Sequence, residues 1–208
     1  YRVALLDSRT KMGLPEVQLG IIPGFGGTQR LPRLVGLQTA LPWILGGTRV
    51  DAKKAMKTGL IDLYLEPQQY EQQLNEFSLK IAHGQKVRKT KKKPLLQGLL
   101  EDNSIGRSVI FKKAREGVMK MTKGHYPAPF SAIKVLEKTA NLRLKAGLSI
   151  ELDEFAKLPG TPECQSLIQL FFNSEALKKE SFGWERVKDA QINSAAVMGA
   201  GIMGGGIA

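Results

Sequence analysis

A short stretch rich in glycine constrains this chain's fold more than any other feature. Residues 23–27 read Pro-Gly-Phe-Gly-Gly. Proline lacks a backbone N–H donor and glycine weakens helices and strands, so regular structure cannot continue through them. The pattern predicts a loop and then a helix with Thr28 as its N-cap, Pro32 near its first turn and Gly36 at its end.

A carboxylate among apolar residues lies just before this loop. Glu16 is surrounded in sequence by Leu14, Val17 and Leu19. Burial among apolar side chains favours the protonated form of a carboxyl group, which suits a proton donor working near neutral pH. Taken alone, a glutamate after a Leu-Pro turn is more often a surface residue, so both interpretations stay open on these residues.

Hydrophobic spacing predicts short strands and several helices. We expect a buried strand over residues 3–6, a helix capped by Asp51 and ended by Gly59, a strand over residues 60–65, and a helix start at residues 161–163. Apolar residues three or four apart predict further helical faces. These faces are formed by Tyr70, Leu74, Phe77 and Ile81, by Ile110, Ala114, Val118 and Met121, and by Ala132, Val135, Leu136 and Thr139.

The chain is strongly basic, with a formal net charge of +12. Such an excess favours polyanionic partners such as nucleic acid, an acidic membrane surface or phosphorylated ligands. Much of the charge lies in one run, residues 86–93. Nucleic-acid modules usually add aromatic residues or a docking motif, and this run has neither. A solvated linker is the simpler interpretation, and the target of the run stays open.

Few residues of this chain suit metal or disulfide chemistry. Cys164 is its single cysteine, which excludes an internal disulfide and favours a reducing compartment. We expect that cysteine to pack in a helix rather than act as a nucleophile. His83 and His125 are isolated and lack metal-ligand spacing, so no metal site is predicted. No apolar run approaches the roughly 20 residues of a membrane helix.

A second glycine motif, G-x-G-x-x-G, occupies residues 199–204. An apolar segment, residues 195–198, precedes it and is predicted as a strand. In a dinucleotide-binding turn, Gly199 allows the bend, Gly201 lets the backbone approach the pyrophosphate, and Gly204 allows close helix packing. The motif alone is a weak signal, and a flexible glycine-rich tail is the alternative.

Both glycine regions resemble known families. Residues 13–31 resemble the signature of the crotonase (enoyl-CoA hydratase/isomerase) superfamily, and the similarity continues through Gly36, Gly46, Gly47, Ala52, Ala55 and residues 59–62. Residues 195–208 resemble the beginning of 3-hydroxyacyl-CoA dehydrogenases. A crotonase signature followed by the beginning of a dehydrogenase resembles the arrangement in the α subunits of fatty-acid β-oxidation multienzymes of the trifunctional type.

The resemblance implies an α/β fold in three parts. Residues 1–85 would be the C-terminal part of a crotonase-like (spiral ββα) domain. Residues 86–188 would be a mostly helical connector, of which residues 131–172 resemble the terminal helices of ordinary crotonases, which pack against their own core or a neighbouring subunit. Residues 189–208 would be the first β-strand and Gly-rich turn of a Rossmann domain. We therefore expect the chain to be an internal piece of a longer protein.

The resemblance also implies roles for particular residues. Glu16 would be the catalytic glutamate that donates a proton during hydration of a 2-enoyl-CoA, with a second glutamate and two oxyanion-stabilising amides upstream of residue 1. The chain alone should then be inactive. The loop glycines Gly24, Gly26 and Gly27, together with Phe25, would line the substrate, although a tight turn explains such glycines equally well. Gly199, Gly201, Met203 and Gly204 would contact NAD in the complete dehydrogenase.

The implied partners are an acyl-CoA substrate and the thiolase β subunit, with peripheral membrane contact left open. The implied location is the bacterial cytoplasm, or the mitochondrial matrix for a eukaryotic source. Two alternatives remain: a nucleic-acid-binding protein on a crotonase scaffold, and an architectural segment that docks thiolase. Acyl-chain length preference, isomerase activity and oligomeric state do not follow from the sequence.

Overall fold

A computed structural model describes residues 1–85, 95–179, 193–194, 196–199, 201 and 206. Residues 1–172 form one compact unit, and residues 173–208 form a second. The described strands and α-helices are β1 (Val3–Leu5), α1 (Gly27–Val35), α2 (Leu37–Leu45), α3 (Ala52–Thr58), β2 (Leu63–Leu65), α4 (Tyr70–Ala82), α5 (Leu95–Glu101), α6 (Ser104–Thr122), α7 (Pro127–Thr139), α8 (Leu144–Phe155) and α9 (Pro162–Lys179). Two short 3-10 helices occupy Pro15–Leu19 and Pro67–Gln69.

The two strands form a small parallel sheet. Val3 lies opposite Leu63, and Leu5 lies opposite Leu65. The backbone N–H of Arg2 donates to Asp62 Oδ2 at 2.8 Å, which fixes the register at the beginning of the sheet. The prediction of a buried strand over residues 3–6 is wrong in burial, because β1 is half-buried and Leu5 is 40% exposed. Among the described residues no third strand covers it.

The predicted end of α1 at Gly36 is confirmed, but the predicted start at Thr28 is wrong. The N-cap is Gly26, with φ 86°, so Thr28 lies inside the first turn and is not the N-cap. Pro32 lies in the interior of the helix, where the sequence placed it near the first turn. Gly36 ends α1 with φ 87° and immediately begins α2, a helix that the sequence reading missed. Because α2 starts at a glycine and contains Pro42, it lacks the usual sequence signals.

The later elements agree with the sequence more closely. Asp51 Oδ1 accepts from the N–H of Lys54 at 2.7 Å, so the predicted cap of α3 is confirmed, as is its stop at Gly59. The Thr161 hydroxyl accepts from the N–H of Cys164 at 3.3 Å at the predicted start of α9. The strand predicted over residues 60–65 is shorter, three residues long.

The helical faces were predicted with mixed success. All four predicted positions on α7 are buried: Ala132, Val135, Leu136 and Thr139. On α6 Val118 is buried, but Met121 is 77% exposed, because it lies in the last turn next to the helix end at Thr122. On α4 Phe77 is buried, whereas Tyr70 and Leu74 are exposed. Hydrophobic spacing therefore identified the helices correctly but overestimated the length of their buried stripes.

One hydrophobic core runs through the first unit. Buried residues from Val17 to Ile61 belong to the same cluster as buried residues from Phe111 to Leu158. Helix α7 is central to it, since Ala132, Ile133 and Val135 have no exposed surface. The segment resembling crotonase terminal helices thus packs on the chain's own core. The three-part division at residues 85 and 188 stays a prediction.

The second glycine motif is described only in part. Residues 196–199 have no regular secondary structure, so the strand predicted over residues 195–198 is not formed there. A parallel strand needs a neighbour to pair with, and the described residues supply none at this place. Met203, Gly204 and the basic run of residues 86–93 lie outside the described residues. None of the described helices is long and apolar enough to cross a membrane.

The backbone at the junction between α1 and α2 predicts that alanine at Gly36 destabilises the protein. A Cβ at Gly36 would lie 2.2 Å from Gln97 Nε2, and the backbone there has φ 87°. We expect Gly36→Ala to lower the free energy of unfolding by about 1–3 kcal/mol.

The exposed helical Gly117 is the matched control. A Cβ there meets no atom within 4 Å. We expect Gly117→Ala to raise the free energy of unfolding by about 0.5–1 kcal/mol, because alanine loses less backbone entropy in a helix. Urea unfolding followed by circular dichroism measures both variants. Equal effects of the two substitutions would contradict the strained geometry at Gly36.

Candidate functional site

Glu16 lies on the first 3-10 helix, Pro15–Leu19. Proline at the first position suits the start of this turn, since its missing N–H would have no partner there. Gly20 ends the turn in the left-handed region with φ 77°, and a Cβ on it would lie 2.7 Å from Cys164 Cα at the start of α9. The C-terminal end of the turn that carries Glu16 therefore packs tightly against the start of α9.

The carboxylate of Glu16 is shielded from solvent, and one of its oxygens has no hydrogen bond to the described residues. The residue is half-buried. Its Oε2 atom is buried and accepts no hydrogen bond from the described residues. Buried polar atoms are nearly always hydrogen-bonded, so one without a donor requires an explanation. The described residues therefore leave the hydrogen-bonding capacity of this oxygen unused.

The glycine loop before α1 is packed by the chain itself. A Cβ at Gly24 would lie 2.8 Å from the Phe155 ring, and one at Gly27 would lie 2.5 Å from Pro23 Cβ. Gly26 has φ 86°. Close packing and a positive φ thus explain these glycines without a substrate. That Gly24, Phe25, Gly26 and Gly27 contact a substrate stays a prediction.

Phe25 is the exposed side chain of this loop. It is 97% exposed, although a large aromatic ring is usually at least partly covered. Its carbonyl oxygen accepts a hydrogen bond from Arg30 Nη1, so its backbone is fixed while its ring is not. The ring is therefore placed to contact another molecule or another part of the protein.

A buried glutamate from α8 closes the start of α1, and the sequence reading missed it. Glu151 is 1% exposed. Its Oε1 accepts from the N–H of Gly26 at 2.5 Å, and its Oε2 accepts from the N–H of Thr28 at 2.9 Å and from the Thr28 hydroxyl. The first N–H groups of a helix lack partners within it and carry partial positive charge, so a carboxylate suits this position.

A sequence signal for Glu151 did exist. Gly147, Glu151 and Glu154 are spaced i, i+4 and i+7, and they are the buried face of α8. Leu152 on the same helix is 58% exposed. Two acids on a buried helical face, beside an exposed leucine, indicate that the helix packs against hydrogen-bond donors rather than against a purely apolar surface.

A buried amide network joins α1 to α7. The side chain of Gln29 is fully buried, and its Nε2 donates to the hydroxyl oxygens of Thr28 and Thr139 at 3.0 Å each. Arg33 Nη1 donates to Gln29 Oε1, also at 3.0 Å. A Cβ at Gly147 would lie 2.1 Å from Gln29 Oε1, so glycine is required on the facing side of α8. Together these contacts fix Thr28 and Gln29.

The sequence of this chain is similar to those of known proteins. Residues 3–99 match the sequence family described as enoyl-CoA hydratase/isomerase. Over its whole length the chain is 41% identical to the fatty acid oxidation complex subunit alpha of Shewanella amazonensis and 41% identical to that of Pseudomonas syringae pv. syringae. It covers 29% and 28% of those relatives, respectively.

The matched residues of this family model make up slightly less than half of the chain. The predicted fold class, an α/β crotonase-like part followed by a mostly helical region, is confirmed for the chain. The chain spans less than a third of the length of the curated relatives that it matches.

Solved structures of the family also resemble the chain. The enoyl-CoA hydratase of Bacillus anthracis is 25% identical with a TM-score of 0.37, covering 84% of this chain and 51% of that one. The enoyl-CoA hydratase/isomerase of Pseudoalteromonas atlantica is 22% identical with a TM-score of 0.44, covering 79% and 50%. At these TM-scores the similarities carry no further argument.

Two glycines of the second motif, Gly199 and Gly201, lie in the described part of the chain. Gly199 has φ 114°, and a Cβ at Gly199 or Gly201 would meet no described atom within 4 Å. Glycines that hold a pyrophosphate lie between a strand and a helix, and no strand precedes these two in the described part. The roles of Gly199, Gly201, Met203 and Gly204 stay predictions.

Two depressions in the described part of the chain have linings that do not include Glu16. A cavity of about 260 Å³ lies among α1, α2, α6 and α7 and contains Arg33, Arg107 and Phe111 in its lining. A groove of about 640 Å³ runs beside Trp43 and Arg49. Among the described residues no group of three or more His, Cys, Asp or Glu side chains is placed to hold a metal.

Cys164 has the environment of a packing residue. Its side chain has no exposed surface, and burial raises the pKa of its thiol. A raised pKa keeps the thiol protonated, and the thiolate is the nucleophilic form. The expectation that this cysteine packs in a helix agrees with its position in α9, against Gly20.

Glu154 forms a nearly buried ion-pair cluster on α8. Lys134 Nζ lies 2.6 Å and Lys157 Nζ 2.9 Å from its Oε1. Burial by itself raises the pKa of the Glu154 carboxyl group, but the hydrogen bonds from Lys134 and Lys157 outweigh burial and hold the pKa below its usual value. The charged carboxylate therefore stabilises the packing of α7 on α8.

This cluster predicts a pH-dependent stability. We expect Glu154→Gln to lower the free energy of unfolding by about 1–3 kcal/mol at neutral pH. The pKa is lower in the folded state, so the wild-type advantage is complete above the unfolded-state pKa of about 4.3. It disappears as the pH falls through the lower folded-state pKa. Urea unfolding across this pH range measures the difference.

Glu175→Gln is the control, because Glu175 forms an exposed pair with Lys178. Exposed pairs contribute little, so this variant should unfold like wild type at every pH. A Glu154→Gln deficit that stays constant down to the acidic end would show that lost packing, rather than charge, causes it.

Proposed function

We propose that this chain is part of the hydratase unit and connector of a fatty acid oxidation complex α subunit. In this proposal Glu16 protonates the substrate during hydration of a 2-enoyl-CoA to a 3-hydroxyacyl-CoA. The observation that carries the proposal is the buried Oε2 atom of Glu16, which accepts no hydrogen bond from the described residues. The match of residues 3–99 to the enoyl-CoA hydratase/isomerase family supports it.

The chemistry requires two proton transfers. Water is a poor nucleophile, so a carboxylate removes a proton from it as its oxygen bonds to C3 of the enoyl thioester. Electron density moves to the thioester oxygen, where two backbone N–H groups stabilise the developing charge. Protonated Glu16 then gives its proton to C2. We propose that the second carboxylate and the two N–H groups come from a part of the protein that precedes Tyr1.

The loop before α1 would shape this site from one side. The backbone at Gly26 and Gly27 is fixed by Glu151 and by contact with Pro23. The exposed ring of Phe25 would then contact the acyl-CoA. We propose Gly24, Phe25, Gly26 and Gly27 as substrate-lining residues on this basis.

The remaining assignments concern the longer protein. The curated relatives are named as subunits of a fatty acid oxidation complex. We propose that the protein continues after residue 189 as an NAD-dependent 3-hydroxyacyl-CoA dehydrogenase and assembles with a thiolase β subunit. NAD would be bound by that complete unit, with Gly199, Gly201, Met203 and Gly204 at its opening turn. The bacterial relatives favour the cytoplasm as its location.

Replacing Glu16 tests the proposed function in the full-length protein. We expect Glu16→Gln to lower kcat for crotonyl-CoA hydration by about 100-fold to 10,000-fold, since a general acid typically contributes that much. The loss of absorbance of the conjugated thioester follows the reaction.

Glu116→Gln is the matched control, since Glu116 is exposed on α6. It should keep the wild-type kcat. A Glu16→Gln enzyme that still hydrates crotonyl-CoA at the wild-type rate, while remaining folded, would disprove the assigned role.

The chain by itself should hydrate nothing. The proposal places a second carboxylate and the oxyanion-stabilising amides outside these 208 residues. We therefore expect the isolated chain to show no crotonyl-CoA turnover above a buffer blank in the same absorbance assay. Turnover that disappears in the Glu16→Gln chain would instead show that these residues contain a complete site.

A further inference from the structure

The contacts of Glu151 reach beyond the helix that it caps. Its carboxylate binds the N–H groups of Gly26 and Thr28, which lie on either side of Gly27. These partners are 125 and 123 residues away in sequence. The glycine loop is therefore fixed by α8 and not by a capping side chain of its own, because Gly26 has none.

Gly27 passes this constraint to the segment that carries Glu16. A Cβ on Gly27 would lie 3.1 Å from Leu14 Cδ1, so the backbone of Gly27 packs directly on Leu14. Leu14 is the N-cap residue of the 3-10 helix, and Glu16 is the second residue of that helix. Two tightly packed steps thus lead from the Glu151 carboxylate to the turn that carries Glu16.

The other side of the turn is closed as well. The N–H of Gly20 donates to the carbonyl oxygen of Val17 at 3.1 Å, and the N–H of Ile21 donates to that of Glu16 at 3.3 Å. Gly20 contacts Cys164. With that side held by this packing, movement of the loop at Gly27 is one route by which the Glu16 turn would shift.

We infer that Glu151 is a positioning residue for Glu16. It holds Gly26–Thr28 so that Gly27 and Leu14 keep the 3-10 turn, and with it the Glu16 carboxyl group, in one place. The catalytic consequence rests on the function proposed above, whereas the mechanical part does not. A misplacement of about 1 Å at a catalytic group can lower a rate about 100-fold.

Kinetics of the full-length protein test the catalytic part. Glu151→Gln keeps the size of the side chain but places an amide NH₂ against an N–H donor, so one hydrogen bond of the loop is lost. We expect kcat for crotonyl-CoA hydration to fall about tenfold to 100-fold, with KM changed less than about threefold. The assay is run well below the unfolding temperature of every variant.

Glu154→Gln is the matched control for a merely structural role. Glu154 is also buried on α8, but its partners among the described residues are Lys134 and Lys157, which lie outside the glycine loop. This variant should lose stability and keep the wild-type kcat. Equal kcat values for the two variants would overturn the catalytic part of the inference.

Amide hydrogen exchange tests the mechanical part without any activity. In Glu151→Gln we expect faster exchange in peptides covering residues 13–22, and wild-type exchange there in Glu154→Gln. If the wild-type protein shows no hydration, the proposed function fails, and exchange at residues 13–22 still decides whether Glu151 holds this turn. Unchanged exchange there in Glu151→Gln overturns the inference.

Thr28→Val provides a second variant in case Glu151→Gln does not fold. It removes the hydroxyl that donates to Glu151 Oε2 and accepts from Gln29 Nε2, and it leaves both backbone N–H bonds to Glu151 in place. We expect a smaller increase in exchange over residues 13–22, and a kcat loss of about threefold to tenfold. Wild-type behaviour in both measurements would overturn the inference.

Discussion

A carboxylate buried at the start of a helix is the interaction on which this structure depends, and the chain uses it twice. Glu151 binds the first N–H groups of α1. Glu101 accepts from the N–H of Gln38 at 3.0 Å in the first turn of α2. Each helix follows a glycine with positive φ, which has no side chain to act as a cap. A glutamate distant in sequence therefore takes that role, and it fixes where each helix begins.

This arrangement makes the first 60 residues depend on the helices that follow. The donors lie on α1 and α2, and the acceptors lie on α8 and α5. Removing the later helices would leave N–H groups of α1 unsatisfied and would uncover the faces of α1 and α2 that pack on α7. The part of the chain that matches the family most clearly is thus not an independent folding unit, since its helix ends and its core are completed by α5 to α8.

How much of the fold could be predicted depends on the sequence separation of the residues in each interaction. The stop at Gly59 and the cap at Asp51 depend on residues within one turn, so the sequence contains their whole cause. The glycine loop was predicted from its composition, whereas the functional roles of Glu16 and of this loop came from a resemblance, which adds long-range information to a local pattern. The N-cap of α1 was predicted wrongly. Threonine is a residue type that helices prefer at the N-cap, but the Thr28 hydroxyl donates to Glu151, 123 residues away. No local rule can identify a partner at that separation.

The buried glutamates of this chain differ in one respect that bears on function. Glu101, Glu151 and Glu154 have hydrogen-bond donors for their carboxylates, as folding requires of a buried charge. Glu16 has a buried oxygen with no donor among the described residues. A fold that supplies donors to three buried carboxylates, two of them through contacts more than 60 residues apart, can evidently satisfy such groups. In the proposed function this open acceptor has a use, because the same carboxyl group would give its proton to the bound thioester.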